Sequence, residues 1–253
     1  MKYVADIIYN TREKLTLDLY LPDSLSAPAC ILYAGAAEYQ DDNGSQIDVI
    51  YLADAFTSRG FAFADVKCRR RITANDLSSA DGRRVAEYIS RSLEAGMQMD
   101  ERLFGPGYIA AMRDISGAID FLVEHGPSLR LTCSGFGLLG VGAGGVAGLG
   151  LAFPPQDLED RFRAPDVIAT FGAALAQPWR ISDAAPPCLV FHATNDDLMP
   201  MRDVEFMKKR AKRKNAPVEF AQGNAAHLAS EIERAMDHFS MLLDVGNELK
   251  EAG

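Results

Sequence analysis

Six short apolar runs limit what this chain can fold into. "ACILYAG", "FAFADVK", "GFGLLGV", "DVIATFG", "CLVFHAT" and "VEFAQG" are each bounded by turn residues and separated by longer polar or amphipathic stretches. Runs of this kind read as strands buried on both faces, which helices join into a largely parallel sheet. "KLTLDLYLP" alternates with period two and reads as a half-exposed strand near a sheet edge. "QIDVIYLADAFTSRG" places Ile47, Ile50, Tyr51 and Ala55 on one helical stripe and stops at Gly60. Further helices are predicted over about 108–125, ending at Gly126, and over about 226–249. The fold class is therefore α/β, with a mostly parallel, roughly eight-stranded sheet flanked by helices. No Pro-, Gly- or Ser-rich linker divides the chain, and 48% hydrophobic residues in 253 suffice for one large core, so 1–253 is read as a single domain.

Residues 70–107 interrupt the alternation. A helical centre around Val85 to Leu93 lies between polar, turn-rich flanks, which suits a cap-like insertion over the carboxyl edge of the sheet. The plainer reading is a decorated surface loop.

A net charge of −9 opposes general attraction to nucleic acid or an anionic membrane. The basic run "KKRAKRK", 208–214, lacks interleaved aromatics and reads as an exposed helix face. Cys30, Cys68, Cys133 and Cys188 form no CxxC pair, so neither a metal site nor a disulfide framework is expected, and a reducing compartment fits. "MKYVADIIYNTREK" has no apolar signal core and no run of 18 apolar residues occurs, so the expected location is the cytoplasm.

"LLGVGAGGVAG", 138–148, admits two readings. Gly140, Gly142 and Gly145 match the GxGxxG fingerprint of an NAD(P)-binding fold; Gly140, Gly142 and Gly144 match a strand-to-helix nucleophile elbow, GxSxG, with glycine at its centre. A dinucleotide fingerprint belongs on the first strand-to-helix turn, with a carboxylate ending the next strand about 20 residues on. Here about 135 residues precede it, and Asp157, Glu159 and Asp160 sit in the loop-like "PPQDLEDRF". The elbow reading gains support from the order of two downstream segments. "CLVFHATNDDLMP" carries Asp196 just past a strand, and "VEFAQGNAAH" carries His227 in the loop after the next one. Nucleophile, acid and base succeed one another in that order in a hydrolase of this type.

With these motifs the chain resembles the α/β-hydrolase superfamily, and within it small carboxylesterases, acetyl esterases and dienelactone hydrolases. "LTLDLYLPD" is similar to their opening strand, "LADAFTSRGFAFADVKCR" to a helix and strand passage, "GLLGVGAGGVAGL" to their GxSAGG elbow and "HATNDDLMP" to their HGTxDxxVP acid loop. The likeness spans the chain except 72–107. It implies that Gly142 stands at the nucleophile, Asp196 at the acid and His227 at the base, with backbone N–H groups of Ala36 and Ala143 as oxyanion donors. Glycine removes the attacking hydroxyl, a loss that typically costs on the order of a million-fold in turnover. "AGAAEY", 34–39, replaces the relatives' HGGG, and a carboxylate on Glu38 would oppose a developing oxyanion. Ser134, Cys133 and Ser116 are poorly placed to substitute for the nucleophile.

Other residues carry competing readings. His227 is a base or a helix-capping histidine, and Asp196 competes with Asp197 or is a turn residue. His192 reads as scaffold. Arg69, Arg70, Arg71, Arg83 and Arg84 face an anionic ligand or solvent. Gly35, Glu38, Tyr39 and Trp179 are pocket candidates, with core packing as the alternative for the aromatics. The function expected is an esterase-like protein that binds or acts on a small organic molecule without a covalent serine step. Asp196 and His227 are left as a general-base pair. Three alternatives stay open: a weak hydrolase using His-activated water, a non-catalytic ligand-binding or interaction module, and an NAD(P)-binding protein. No cofactor, metal, nucleic-acid or membrane partner is expected, and the oligomeric state is open, a homodimer included.

Overall fold

The computed structural model describes residues 1–23, 28–36, 39, 47–131, 135–155, 157–158, 161–194, 196, 199–223 and 228–243. The strands are β1 (Lys2–Asn10), β2 (Leu15–Leu21), β3 (Cys30–Ala36), β4 (Ala62–Val66), β5 (Phe136–Gly142), β6 (Val167–Phe171), β7 (Cys188–Ala193) and β8 (Val218–Gly223). They form one eight-stranded sheet in the order β1-β2-β4-β3-β5-β6-β7-β8. Pairs β1–β2 and β2–β4 are antiparallel and all the others parallel. The apolar runs thus become strands β3 to β8; β3 to β7 are buried as expected, whereas β8 is the second sheet edge and only Ala221 in it is buried, which corrects the reading of "VEFAQG" as a strand buried on both faces. β1 is an addition to the sequence reading. It forms the sheet edge, with Tyr3, Val4 and Ile8 exposed, so no one-sided apolar pattern marks it.

The helices are α1 (Val49–Ser58), α2 (Ser79–Glu94), α3 (Pro106–His125), α4 (Ala143–Ala152), α5 (Met201–Lys214) and α6 (Leu228–Leu242). Side chains of α1 and α6, among them Leu52, Phe56, Met236 and Phe239, fill the core on one face of the sheet. Side chains of α2, α3, α4 and α5, such as Val85, Ile115, Val146 and Met207, fill the other. In α1 the buried residues are Leu52, Ala53, Phe56 and Thr57, whereas Ile50 and Tyr51 face solvent. This corrects the expected stripe: Phe56 packs against Phe61, Phe63 and Phe239, and that aromatic cluster sets the rotation of the helix.

Within 70–107, α2 begins at an N-cap where Ser78 accepts from Asp81 N. Val85, Tyr88 and Ser92 are buried, and Ser92 Oγ donates to Ala176 O (2.9 Å) in the segment that leaves β6. Gln98 N and Met99 N donate to Asp203 on α5, the latter at 2.6 Å. The insertion is therefore tied to the carboxyl-end loop of β6 and to α5.

α4 lies with its backbone against the sheet. A Cβ on Gly144 would sit 2.0 Å from Ala34 O, one on Gly140 2.6 Å from Gly145 Cα, and one on Gly145 2.7 Å from Ala173 Cβ. These glycines let helix and strands approach with no side chain between them. Gly144→Ala is expected to cost at least about 3 kcal/mol or to prevent folding, because the clash is with backbone. Gly117→Ala on α3 would place its Cβ where nothing lies within 4 Å. It is expected to stabilise by about 0.5–1 kcal/mol, both values being read from urea denaturation.

Candidate active site

Strand β5 ends in Gly142, whose φ of 56° and ψ of −123° turn the chain sharply into α4. A residue with a Cβ is strained in that conformation, and glycine adopts it freely. Ala143 is the first residue of α4, so its N–H belongs to the unpaired donors at the helix start. Ala36, the last residue of β3, pairs with Gly142 in the β3–β5 ladder. The two expected backbone donors thus lie on either side of the turn.

On the opposite flank, Val141 pairs with Phe171, which puts Gly172 beside Gly142. A Cβ on Gly172 would stand 2.7 Å from Asp196 Oδ2, and Gly172 has a φ of 61°. Asp196 Oδ1 accepts from Met199 N at 2.9 Å. The carboxylate is therefore fixed over a residue that has no side chain, next to the elbow. β8 ends at Gly223, paired with Ala193, and Thr194 N donates to Gly223 O (2.8 Å). The chain then leads into 224–227; His227 lies outside the described residues, as do Glu38, Asp197, Cys133, Ser134, Glu159 and Asp160.

Tyr39 is buried with its ring on Gly107, and its hydroxyl donates to Ala143 O at 2.7 Å. That bond ties the segment after β3 to the start of α4. A cavity of about 160 Å³ opens beside it, lined by Gly35, Tyr39, Asp65, Lys67, Cys68 and Gly144 among others. Lys67 Nζ bonds Asp65, and burial raises the Asp65 pKa against that partner. Arg69, which also lines the cavity, donates through its backbone N (2.7 Å) and Nε (2.9 Å) to Asp114. Asp65 and Cys68 line the cavity and Asp114 of α3 bonds Arg69 next to them; sequence reasoning passes over these three because only the tertiary packing of α3 against the end of β4 brings them together.

Burial, then Asp114 and Asp65, push the Cys68 thiol well above the usual thiol range. Kept protonated, it is a poor nucleophile. Ser116 is buried on α3, where its hydroxyl accepts from Arg163 N (2.8 Å). Trp179 lies elsewhere, lining a second cavity with Arg91, Phe206 and Arg210. Arg84 pairs with Glu87 on the exposed side of α2. Lys208, Lys209, Lys212, Arg213 and Lys214 are exposed on α5. β6 runs from Val167 to Phe171 without a terminal carboxylate, and Asp157 pairs with Arg180 (3.1 Å). The glycines of 140–145 are accounted for by helix packing and the elbow. Among the described residues no group of three or more His, Cys, Asp or Glu could hold a metal ion. No described helix is long and apolar enough to cross a membrane.

Set beside solved structures, this fold recurs in esterases. The propionate-bound esterase 2 of Thermogutta terrifontis aligns with a TM-score of 0.66 over 94% of both chains at 16% identity. A truncated carbohydrate esterase from gut microbiota gives 0.66 over 96% of both at 13% identity. A lipase/esterase from Lactobacillus plantarum gives 0.64 over 90% of this chain and 94% of its own at 12% identity. The chain has the α/β-hydrolase fold. No protein-family model matches the sequence, and no curated protein sequence does. Within this fold Gly142 occupies a sharp strand-to-helix turn, and Asp196 stands past the end of a later strand.

His192, at the end of β7, is buried with Nδ1 lacking a partner among the described residues. Burial lowers its pKa from the ordinary 6.5, against the opposing pull of Asp196. His238 on α6 is lowered for the same first reason. A histidine held neutral in the folded state gains its proton first in the unfolded chain, so stability is lost as pH falls through 6.5. Urea midpoints are expected to drop from about pH 8 to about pH 6, and His192→Gln should flatten that drop. An unchanged slope in the variant would refute the assignment.

Proposed function

We propose that this chain is an esterase-like protein that takes a small organic molecule at the Gly142 elbow and works without an acyl-enzyme. Asp196 and His227 remain as a carboxylate–imidazole pair. The observation that carries this reading is the elbow itself. The chain turns sharply from β5 into α4 next to the strand end at Ala36, and the residue at the apex of that turn has no side chain. Neither Cys68, held protonated by burial, nor Ser116, bonded within the fold, supplies a replacement hydroxyl or thiolate.

An imidazole oriented by a carboxylate takes a proton from water or from an acidic carbon, and such general-base assistance contributes roughly a hundred- to ten-thousand-fold. The fixed carboxylate of Asp196, accepting from Met199 N and seated on Gly172, supports its role as the orienting member. The N–H groups of Ala36 and Ala143 are the proposed donors to a developing oxyanion, with Glu38 tempering that role. The 160 Å³ cavity beside Tyr39 reaches the elbow segment only through Gly35 and Gly144, and its size suits a substrate of few heavy atoms. The insertion of 70–107 is read as a cap over the carboxyl edge of the sheet, since α2 holds the loop that leaves β6.

The test compares the native protein with Gly142→Ser, Gly142→Ala and His227→Ala on short-chain nitrophenyl esters and on a fluorophosphonate. The native protein is expected to hydrolyse the ester slowly, to lose about a hundred-fold in His227→Ala, and to take no fluorophosphonate label. Stoichiometric labelling of the native protein would overturn the missing-nucleophile reading. Ester turnover unaffected by His227→Ala would overturn the general-base role, and no native turnover at all would leave a binding protein in place of a catalyst.

A second expectation concerns the backbone. Gly142→Ala and Gly142→Ser are each expected to destabilise by about 1–3 kcal/mol in urea denaturation, because each forces a Cβ into a positive-φ turn. Only the serine form is expected to gain fluorophosphonate labelling.

A further inference from the structure

The basic run of α5 stands apart from the elbow and its cavity. Residues 208–214 hold six of the chain's 26 Lys and Arg and no carboxylate, in a chain of 35 Asp and Glu. Lys208–Lys212, Lys209–Arg213 and Arg210–Lys214 fall at (i, i+4), a spacing at which like charges repel. Lys208 reaches a carboxylate, Glu205 at 3.6 Å, whereas Lys209, Lys212, Arg213 and Lys214 have no ion pair among the described residues. The negative end of the helix favours cations in its last turn, but it does not account for Arg202, which is exposed in the first.

Helical periodicity sorts these charges. Arg202, Phe206, Lys209, Arg210 and Arg213 share one side of α5, turned away from the buried Val204, Met207 and Ala211. That side borders a solvent-exposed groove of about 320 Å³ between α2 and α5, whose lining includes Arg91, Glu94, Ala95, Pro178, Phe206 and Arg210 and shares no residue with the cavity beside Tyr39. Phe206 is left 37% exposed there. From α2, the Arg91 guanidinium is held 4.4 Å over the Trp179 ring. The two helices are fixed relative to each other, because Asp203 of α5 accepts from Gln98 N and Met99 N just past α2. The groove is therefore preformed, with cations from both helices, the single carboxylate of Glu94, and apolar surface from Ala95, Pro178 and Phe206.

We propose that this groove docks an acidic polypeptide segment. From Arg202 to Arg213 the helix rises about 16 Å, the length of about five extended residues. Carboxylates of the segment lie toward Arg202, Lys209 and Arg213, and an apolar side chain between them rests on Phe206. The occupant is narrow because the basic face is one helix wide. An anionic membrane or a nucleic-acid duplex extends beyond it onto a chain of net −9, which repels both. Single-stranded nucleic acid stacks its bases on successive aromatic rings, and Phe206 is the only aromatic residue of α5. Opposite charge speeds the encounter, and the apolar contact fixes the register.

The experiment titrates the ¹⁵N-labelled full-length protein with the peptide Glu-Glu-Leu-Glu-Glu and follows its amide resonances. Saturable shifts are expected at Phe206, Lys209 and Arg213 and at the indole of Trp179, the chain's only tryptophan, with Gly142 unmoved. Affinity is expected to fall about ten-fold in the Lys209→Glu, Arg213→Glu double variant and about three-fold in Phe206→Ser. Far-UV circular dichroism verifies that each variant is folded. No shift on α5 at millimolar peptide, an equal response to Gln-Gln-Leu-Gln-Gln, or unchanged affinity in the folded double variant would each overturn the proposal. Tighter binding to vesicles of phosphatidylcholine and phosphatidylserine, or to duplex DNA, than to the peptide would overturn it as well. So would a salt-dependent dimer in sedimentation that the double variant abolishes, since the occupant would then be a second copy of this chain.

Discussion

The contact between the first turns of α4 and the backbones of β3 and β5 organises the molecule. Because Gly140, Gly144 and Gly145 carry no side chains, a helix sits where one residue's bulk would push it off the sheet. The helix start is thereby fixed relative to the carboxyl ends of the central strands, and the turn at Gly142 inherits its geometry. Ala143 comes directly after it, and through its carbonyl Tyr39 is anchored as well. One close approach thus sets the elbow, the donor beside it and the wall of the adjoining cavity.

Much of this is legible in the chain because strands β3 to β7 are buried on both faces, and burial leaves a dense apolar signature. The glycine spacing at 140–145 and the position of Asp196 past a later apolar run locate the elbow and the carboxylate for the same reason. β1 escapes because an edge strand exposed on both sides has no such signature. The rotation of α1 escapes because Phe56 meets Phe61, Phe63 and Phe239, and the last of these lies far along the chain. Residue type alone groups Trp179 with the elbow. Its actual position depends on the path after β6, where Ser92 of α2 captures Ala176 O, and no local pattern encodes that bond.

The carboxyl edge also concentrates charge that the rest of the core avoids. Asp114 is nearly inaccessible, yet Arg69 meets it with backbone and side-chain donors, and Asp203 plays a similar part toward Gln98 and Met99. Burial raises the pKa of both carboxyls, and the bonds they accept oppose that rise. Such groups add little net stability, since desolvation offsets attraction, but a lost partner leaves a charge stranded. Their effect is to pin the insertion and the β4 exit loop in one arrangement.

Gly172 has no functional group, yet it governs where one lies. Its missing side chain is the seat of the Asp196 carboxylate, so any methyl at that point would lift the carboxylate from its place without altering the aspartate itself. A silent-looking change at the end of β6 would therefore displace a carboxylate that lies past the end of a neighbouring strand. The information that positions this carboxylate is carried partly by a residue that a search for reactive side chains would never select.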